Sequence, residues 1–259
     1  MLMLVALLAA ISTAVSAQGT AQSNPLLTLP GWEAGGQFAE YQYEEPSFAK
    51  LTGDRIGVAG AYTSTGALLY TRIDLRASYG SLDYQGSGTL GNVPDWIFET
   101  RAVFGKDFLT AAGVALSPYI GLGYRYLYND VRGRTSTGAI GYRRHSNYVY
   151  APMGLTVRIN AGSNWAIAPT IEYDVFLTGR QVSKLSDTSL GFSDLTNKQA
   201  KGRGYRAYLM LENERWAFGP WAHYWKIEQS DIRPVGLGFI GLEPANRTRD
   251  YGVEVRYRF

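Results

Sequence analysis

Two carboxylates and one histidine are the residues whose types and spacing could support hydrolysis. Glu172 and Asp174 are two positions apart, and on an extended strand both side chains point to the same face. Two neighbouring carboxylates can share a proton or activate a water, and His223 could act as the base. His145, the other histidine, is followed directly by Ser146.

The composition excludes several other kinds of site. The chain has 259 residues and no cysteine, which excludes disulfides, thiolate metal sites and thiol nucleophiles. With two histidines, a metal site would need mostly oxygen ligands, and no suitable spacing occurs in the sequence. A formal net charge of +3 is too small to indicate nucleic-acid binding. We therefore expect no cofactor, no metal and no nucleic-acid partner.

The segments that carry the charged residues alternate with a period of two. In residues 69–79, Arg72, Asp74 and Arg76 alternate with uncharged residues, which is typical of a strand with every charge on one face. Similar segments predict ten strands, each long enough to cross a bilayer, where a tilted strand needs about 9–11 residues. They lie at 32–42, 53–63, 67–80, 94–105, 114–128, 146–159, 165–178, 203–212, 216–227 and 248–259.

The connections between these strands fall into two length classes that alternate along the chain. The short connections are 64–66, 106–113, 160–164 and 213–215, and the long ones are 43–52, 81–93, 129–145, 179–202 and 228–247. Short periplasmic turns at one end and long extracellular loops at the other are the layout of bacterial outer-membrane barrels. The sequence thus predicts an all-β, ten-stranded, antiparallel, up-and-down transmembrane β-barrel in the outer membrane.

Aromatic residues on the uncharged face lie near both ends of the predicted strands, where a barrel carries its membrane-interface girdles. The predicted girdle residues are Trp32, Tyr62, Tyr79, Trp96, Phe104, Tyr126, Trp165, Tyr205, Trp216, Tyr224 and Tyr251. Pro118, Pro169 and Pro220 fall in mid-strand on the same face. Because proline cannot donate to a sheet ladder, we expect a β-bulge at each.

The N-terminus has the pattern of an export signal. Residues 1–17 contain an apolar stretch followed by Val15-Ser16-Ala17, whose small residues suit a cleavage site. Cleavage there would remove residues 1–17 and leave 18–259 as a single barrel domain.

The last nine residues, 251–259, carry a pattern of their own. Tyr251, Val253, Val255 and Tyr257 alternate with other residues and lead to a terminal Phe259. This resembles the insertion signal of Gram-negative outer-membrane barrels, which implies the barrel assembly machinery as a partner. In strand number the chain is similar to the ten-stranded members, which include omptin proteases and an opacity-class adhesin.

The resemblance to omptins does not extend to their catalytic residues. The omptin pattern needs an aspartate two residues before its histidine, and position 221 here is Trp221. Outer-membrane acyl hydrolases need a histidine two residues before a serine, and neither His145 nor His223 is so placed. We therefore expect that the protein is not an enzyme.

The charged face should line the lumen of the barrel. Ten strands enclose a space that side chains nearly fill, so these residues should form a compensated network. The predicted network is Arg72, Asp74, Arg76, Glu99, Arg101, Arg125, Arg158, Glu172, Asp174, Arg206, His223, Glu254 and Arg256.

A basic loop is the second candidate for a functional site. Residues 129–145 contain Arg132, Arg134, Arg143 and Arg144, which could contact lipopolysaccharide phosphates or an acidic partner. The sequence as a whole predicts a monomeric barrel with a structural or surface-interaction role, surrounded by outer-membrane lipid and lipopolysaccharide, with an extracellular ligand as a further partner. The alternatives are a narrow porin-like channel, which an arginine-rich lumen would make anion-selective, and an omptin-like surface hydrolase.

Overall fold

Ten long antiparallel strands form the molecule in a computed structural model that describes residues 24–236 and 238–259. The predicted export signal at 1–17 lies outside the described residues. The strands are β1 (Gly31–Glu45), β2 (Ala49–Gly66), β3 (Leu69–Gly86), β4 (Gly88–Lys106), β5 (Val114–Arg134), β6 (Ile140–Gly162), β7 (Trp165–Ser183), β8 (Gly202–Glu212), β9 (Trp216–Ile227) and β10 (Asn246–Arg258).

The sheet is closed. Each of the ten strands pairs with the next one along the chain, and β10 pairs back onto β1, where Val253 lies opposite Phe38. All pairings are antiparallel. Closure leaves the barrel strands without a free edge, and the predicted closed, ten-stranded, all-β barrel is confirmed.

Short strands and one short helix lie at the two ends of the barrel. A two-residue strand, Phe108–Leu109, pairs with β5, and a strand at Leu195–Gln199 extends the sheet beside β7. A 3-10 helix covers Leu185–Thr188, and a small hairpin joins Arg233–Gly236 to Phe239–Gly241. In the described part of the chain, no helix is long and apolar enough to span a membrane.

The long connections gather at one end, the outer end, as predicted, but three of them are not loops. Segments 43–52, 81–93 and 129–145 are continuous strand hairpins that turn only at 46–48, 87 and 135–139. The sequence signal was the apolar face, which stops where the strands leave the lipid. The backbone ladder continues beyond that level because its hydrogen bonds do not depend on side-chain polarity.

The predicted bulges at the three mid-strand prolines are wrong. Pro118 keeps its register with Leu155 on β6, while the ladder to β4 is interrupted at the same level. Pro169 and Pro220 likewise keep one neighbour, β8 and β10 respectively, and interrupt the other ladder. In an antiparallel sheet the N–H of a residue points to only one neighbour, so a missing donor breaks one ladder and spares the other.

The two faces of the barrel differ sharply in polarity. The outward face exposes large apolar side chains in every part of the band, and Ile56 and Ile171 are 66% and 68% exposed. A continuous apolar belt of this size is stable only against lipid. The inward face carries the charged residues, most of them buried.

Candidate functional site

The middle of the lumen holds a connected ion-pair network. Arg101 donates to Glu172 at 2.6 Å, and the Tyr119 hydroxyl donates to the same carboxylate at 2.6 Å. Arg206 lies 3.0 Å from Glu172 and 2.7 Å from Asp174. Both carboxylates that could have formed a hydrolytic pair are therefore already bound by arginine.

The network continues from Arg206 to the opposite wall. Arg206 and the Tyr150 hydroxyl both bind Glu99, and Arg125 pairs with that carboxylate at 3.2 Å. These residues lie on different strands, and each strand places them inward by simple alternation. Glu99 and Arg125 are almost fully buried, so the ion pairs compensate charges that would otherwise be costly.

A second group of ion pairs lies towards the end with the short turns, the inner end. Arg72 bridges Glu33 at 2.7 Å and Asp74 at 2.8 Å. Arg258 also binds Glu33, at 2.5 Å, and Arg256 binds Glu254 at 2.7 Å. Glu33 on β1 thus binds one arginine from β3 and one from β10. Arg158 binds Glu212 at 2.6 Å near the same end.

His223 is placed apart from the carboxylates. Its side chain is buried, and its Nε2 lies 2.7 Å from the Tyr208 hydroxyl and 3.1 Å from Arg76 Nη1. The Trp221 ring packs 4.5 Å from the imidazole, centroid to centroid. Among the described residues no carboxylate binds His223. The structure does not bring the candidate base to Glu172 and Asp174.

Arg76 completes this part of the lumen. Its guanidinium binds Gln37 and lies 4.0 Å from Glu254. It also stacks 4.3 Å above the Trp221 ring, a favourable cation–π geometry. All the predicted lumen residues therefore point into the barrel, where each takes part in a hydrogen bond, an ion pair or a ring contact.

Buried aromatic and aliphatic side chains pack together inside the barrel towards the outer end. Trp225 and Tyr150 are buried with their rings 5.1 Å apart, and Tyr148 packs edge-on against Phe176 at 5.5 Å. We call these residues and the aliphatic side chains around them the apolar layer. The aliphatic members are Leu51, Leu82, Val93, Ile97, Leu127, Val131 and Ile227. Strand alternation puts these aliphatic side chains on the same inward face as the charged residues.

A cavity of about 120 Å³ lies at the inner end of the lumen. Arg72, Arg101, Arg158 and Tyr208 are among its lining residues. The segment before β1 closes part of its mouth, since Thr28 donates through its N and Oγ1 to Asp107 at 2.8 and 2.9 Å. The cavity ends against the ion-pair network.

Two buried ion-pair groups at the outer end were missed by sequence reasoning. Arg55 pairs with Asp95, which also binds Asn129. Arg144 lies between Glu45 and Glu243. Asp95 could have been found from its alternation within the predicted strand at 94–105. Glu45 and Glu243 fall outside the predicted strands, where no pattern marked them.

The predicted basic loop needs correcting, because its segment is a hairpin and its arginines are mostly engaged. Arg144 points into the lumen, and Arg132 pairs with Asp130 at 2.6 Å. Arg143 binds Asp187 at 2.7 Å, and these hydrogen bonds lower the pKa of the Asp187 carboxyl to about 2. Arg134 donates to the Gly138 carbonyl at 3.3 Å. The hairpin does not present a free basic cluster.

The predicted girdle residues all lie on the outward face. Near the inner end, Trp32 packs on Tyr62 at 4.7 Å, and near the outer end Tyr79 packs on Trp96 at 5.1 Å. The remaining members are exposed or partly exposed at the same two levels: Phe104, Tyr126, Trp165, Tyr205, Trp216, Tyr224 and Tyr251.

The C-terminal pattern forms the outward face of β10 and the residue after it. Tyr251, Val253, Val255, Tyr257 and Phe259 lie on one side, and the Phe259 ring is 74% exposed. Its backbone N–H donates to the Trp32 carbonyl at 2.9 Å. The segment therefore forms the seam that closes the barrel against β1.

The fold resembles that of a solved outer-membrane protein. No family model and no curated protein matches the chain. Among solved structures, the outer membrane protease OmpT from Escherichia coli superposes with a TM-score of 0.60 at 8% identity, covering 88% of this chain and 97% of that one. The translocator domain of the autotransporter NalP from Neisseria meningitidis gives a TM-score of 0.40 at 16% identity, covering 99% and 95%.

The likeness to OmpT concerns the fold alone, at 8% identity. Together with the apolar outward band and the two aromatic levels, it shows a β-barrel of the Gram-negative outer-membrane type. The predicted class of protein and its outer-membrane location are confirmed, and the lumen holds the predicted buried charged network.

Proposed function

We propose that this protein is a closed outer-membrane barrel with a structural or surface-interaction role and that it is not a conduit. The observation that carries the proposal is the stacking of two closures in one lumen. The apolar layer around Trp225 and Tyr150 packs directly on the outer side of the network centred on Arg206 and Glu99, and the Tyr150 hydroxyl donates to Glu99. A solute would have to displace both.

The two closures resist opening for different reasons. The apolar layer resists ions because a passing charge would lose its hydration there, and the Arg55–Asp95 pair at this level is already compensated. The network resists because separating a buried pair such as Arg206 and Asp174 leaves two uncompensated charges. Neither closure rests on a loop. Both are built from side chains on barrel strands, and the backbone of each strand is hydrogen-bonded to a neighbouring strand on either side.

The alternative of a narrow channel is favoured by one observation, the cavity at the inner end. Its volume of about 120 Å³ is enough for several waters. An opened lumen would show weaker anion preference than the sequence suggested. The reason is that Glu33 and Glu212, which the predicted lumen set did not include, pair with its arginines.

Conductance recordings test the closed-barrel proposal. The refolded protein, checked for barrel formation by its heat-dependent shift in gel mobility, is inserted into a planar bilayer beside a known porin as a positive control. We expect no unitary steps from this protein. A Tyr150→Ala/Trp225→Ala variant that still folds provides the matched comparison with a breached apolar layer. Reproducible steps from the wild type would contradict the proposal and favour the channel.

We also propose that the protein is not a surface hydrolase. This rests on the contacts of buried His223, which lie with Tyr208 and Arg76 and not with Glu172 or Asp174. Arg101 binds Glu172, and Arg206 binds one oxygen of Asp174. The wild type should cleave neither a library of basic and neutral peptides nor ester-linked phospholipids. Turnover by the wild type that is lost in His223→Ala would overturn this proposal.

The proposed partners follow the same reasoning. The seam strand β10 with Phe259 supports insertion by the barrel assembly machinery, outer-membrane lipid would surround a monomeric barrel, and the outer-end elements would meet an extracellular ligand. The role of the assembly machinery is tested by deleting Phe259 and measuring the amount of barrel in the outer membrane while total expression stays unchanged.

A further inference from the structure

The cavity at the inner end of the lumen is surrounded by arginines from four strands. They are Arg72 on β3, Arg101 on β4, Arg158 on β6, and Arg256 and Arg258 on β10. The carboxylates that line the same cavity belong to Glu33, Asp74, Glu212 and Glu254. We call this cavity the inner chamber. Because positive and negative groups are almost equal in number, their arrangement decides which charge a ligand would meet.

The guanidinium groups lie in front of most of the carboxylates that they bind. In the pair of Arg256 with Glu254 the two side chains are 13% and 1% exposed. In the pair of Arg101 with Glu172 they are 14% and 0% exposed. These side chains point into the lumen, so the exposed part of each pair faces the inner chamber and is mainly arginine.

The remaining lining carboxylates follow the same arrangement with one exception. Glu33 and Asp74 are both less exposed than Arg72, which binds them. Glu212 is about as exposed as its partner Arg158. The surface that a ligand would touch therefore carries more positive than negative charge, which favours an anion.

Two of these arginines keep a hydrogen-bond donor that the protein does not use. Arg101 donates through Nε to Asp74 and through Nη1 to Glu172. The hydrogen bonds of Arg158 likewise come from Nε and Nη1. No residue in the described part of the chain accepts a hydrogen bond from Nη2 of either arginine. Guanidinium groups form strong, charge-assisted hydrogen bonds with oxyanions, so each Nη2 is suited to bind one.

A pair of hydroxyl groups adds a neutral donor to the lining. Thr156 and Thr170 both line the inner chamber, and their Oγ1 atoms are 2.8 Å apart. Each hydroxyl has one proton. The bond between them uses only one of the two protons, and the other can be donated to a ligand.

The inner chamber is reached from the inner end of the barrel. Arg258, one of its lining residues, donates through Nη1 to the Asn213 carbonyl in the short turn between β8 and β9. Thr28 and Leu29, from the segment before β1, also line the chamber and narrow its mouth. On the outer side the chamber ends against the ion-pair network. A ligand would thus enter and leave on the inner side without crossing the barrel.

The size of the inner chamber restricts what it can hold. Its volume of about 120 Å³ corresponds to several waters. A small ion fits this space, whereas a nucleotide or an oligosaccharide does not. A small cation fits the lining less well, because the carboxylates are bound by arginines and are mostly the more deeply buried members of their pairs.

We propose that the inner chamber is a binding site for a small oxyanion, of which inorganic phosphate is the simplest example. The oxyanion would accept hydrogen bonds from the unused Nη2 groups of Arg101 and Arg158 and from a threonine hydroxyl. A phosphate ester offers the same group on a larger body, and the narrow mouth favours the free ion. The site goes beyond the closed-barrel role, because a chamber that ends blindly binds its ligand without conducting it.

Calorimetry on the whole barrel tests the site. The protein is refolded in micelles of a non-ionic detergent and titrated with sodium phosphate in Tris buffer, with an excess of chloride that keeps the ionic strength constant. We expect saturable binding of phosphate, since a halide offers no set of oxygens to separate donors. Glycerol 3-phosphate, titrated in the same way, should bind more weakly than inorganic phosphate.

A variant that fills the inner chamber without changing its charge locates the binding. Ala168 lines the chamber and packs against Met210 and Ala217. Ala168→Leu should bind phosphate at least about tenfold more weakly, because the larger side chain takes up space that the ion needs. The matched control is Ala102→Leu, at an exposed position on the outward face of β4, which should bind like the wild type.

A second variant keeps the experiment decisive if Ala168→Leu fails to fold, which the heat-dependent shift in gel mobility shows. Arg158→Lys retains the positive charge beside Glu212 but removes the guanidinium group with its Nη2, and it should bind phosphate several-fold more weakly.

Four results would overturn the proposal. The first is the absence of saturable phosphate binding to the wild type, and the second is unchanged affinity in both chamber variants. The third is an equal loss in Ala102→Leu, which would place the binding outside the inner chamber. The fourth is tighter binding of glycerol 3-phosphate than of inorganic phosphate, which would assign the site to a phosphate ester. None of these results depends on whether the lumen conducts.

Discussion

Arginine side chains in this molecule are either buried in ion pairs or exposed on the outward face, and β8 has one of each kind within four residues. Arg206 points into the lumen, is buried, and binds Glu99 and Asp174. Arg203 points outward, is exposed, and has no ion-pair partner among the described residues. A buried charge must be compensated by the protein itself. An exposed one is stabilised by water, and it remains available for an anion that the chain does not supply.

The largest expected effect is the loss of a buried partner. Arg206→Gln should lower the free energy of unfolding by about 3–5 kcal/mol, because Glu99 and Asp174 would keep their buried charge without its main partner. Arg203→Gln, three positions away, should change it by less than about 0.5 kcal/mol. Urea unfolding of the refolded barrel in detergent micelles, followed by tryptophan fluorescence, measures both. Equal effects of the two substitutions would remove the distinction between the faces.

The apolar layer should show the same contrast between neighbouring positions. Trp225→Ala should destabilise the barrel by about 3–5 kcal/mol, since a large side chain leaves a cavity among Tyr148, Tyr150 and the aliphatic residues. Tyr224→Ala, on the lipid side, should cost clearly less. The same urea unfolding experiment compares the two variants. A larger loss of unfolding free energy for Tyr224→Ala than for Trp225→Ala would mean that the outer end of the lumen is loosely packed.

Removal of the C-terminal residue should affect assembly more than stability. Deleting Phe259 takes away an exposed ring and one backbone hydrogen bond to Trp32. We expect several-fold less barrel in the outer membrane with total expression unchanged, as quantified by immunoblot of membrane fractions. Truncation that leaves the membrane fraction unaltered would disprove the assembly role of this residue.

The smallest expected effect is on the outer loops in acid. Hydrogen bonds from Arg143 lower the pKa of Asp187 to about 2, below its usual value of about 4. The Arg143–Asp187 contact should therefore be intact above about pH 4 and be lost as the pH falls through about 2. A spin label on Leu190→Cys, in a chain without other cysteines, should gain mobility over that range.

The matching variant for the pH experiment is Asp187→Asn. Its label should already be more mobile at neutral pH, because the ionised carboxylate is absent. If the label in the wild type stays equally immobile down to pH 2, the contact does not hold this loop.

The side of the barrel to which a residue belongs could be predicted from the sequence, because alternation is a local property of a strand. Arg206 and Tyr205 were assigned to opposite faces correctly on this basis. The pairing of charges could not be predicted in this way. Arg206 and its partner Glu99 are 107 positions apart, and their contact depends on the diameter of the closed barrel and the relative stagger of its strands.

The outer hairpins illustrate a second limit. The sequence places Arg144 in a basic loop because the segment 129–145 falls between two predicted strands. In the structure it is buried between Glu45 and Glu243, which come from distant parts of the chain. A polar segment looks the same in sequence whether it is a solvated loop or a strand that continues above the membrane.

The amino-acid sequence by itself determined the barrel, its ten strands, its lipid face and its charged lumen, because each follows from a period of two and from where charge is tolerated. The tertiary structure decided how the lumen is packed, since Trp225, Tyr150 and Arg206 meet neighbours from strands far apart in the chain. It also decided which arginines are held in buried ion pairs, such as Arg206, and which are exposed, such as Arg203. Local periodicity sets the direction of a side chain, and only the closed sheet sets its neighbours.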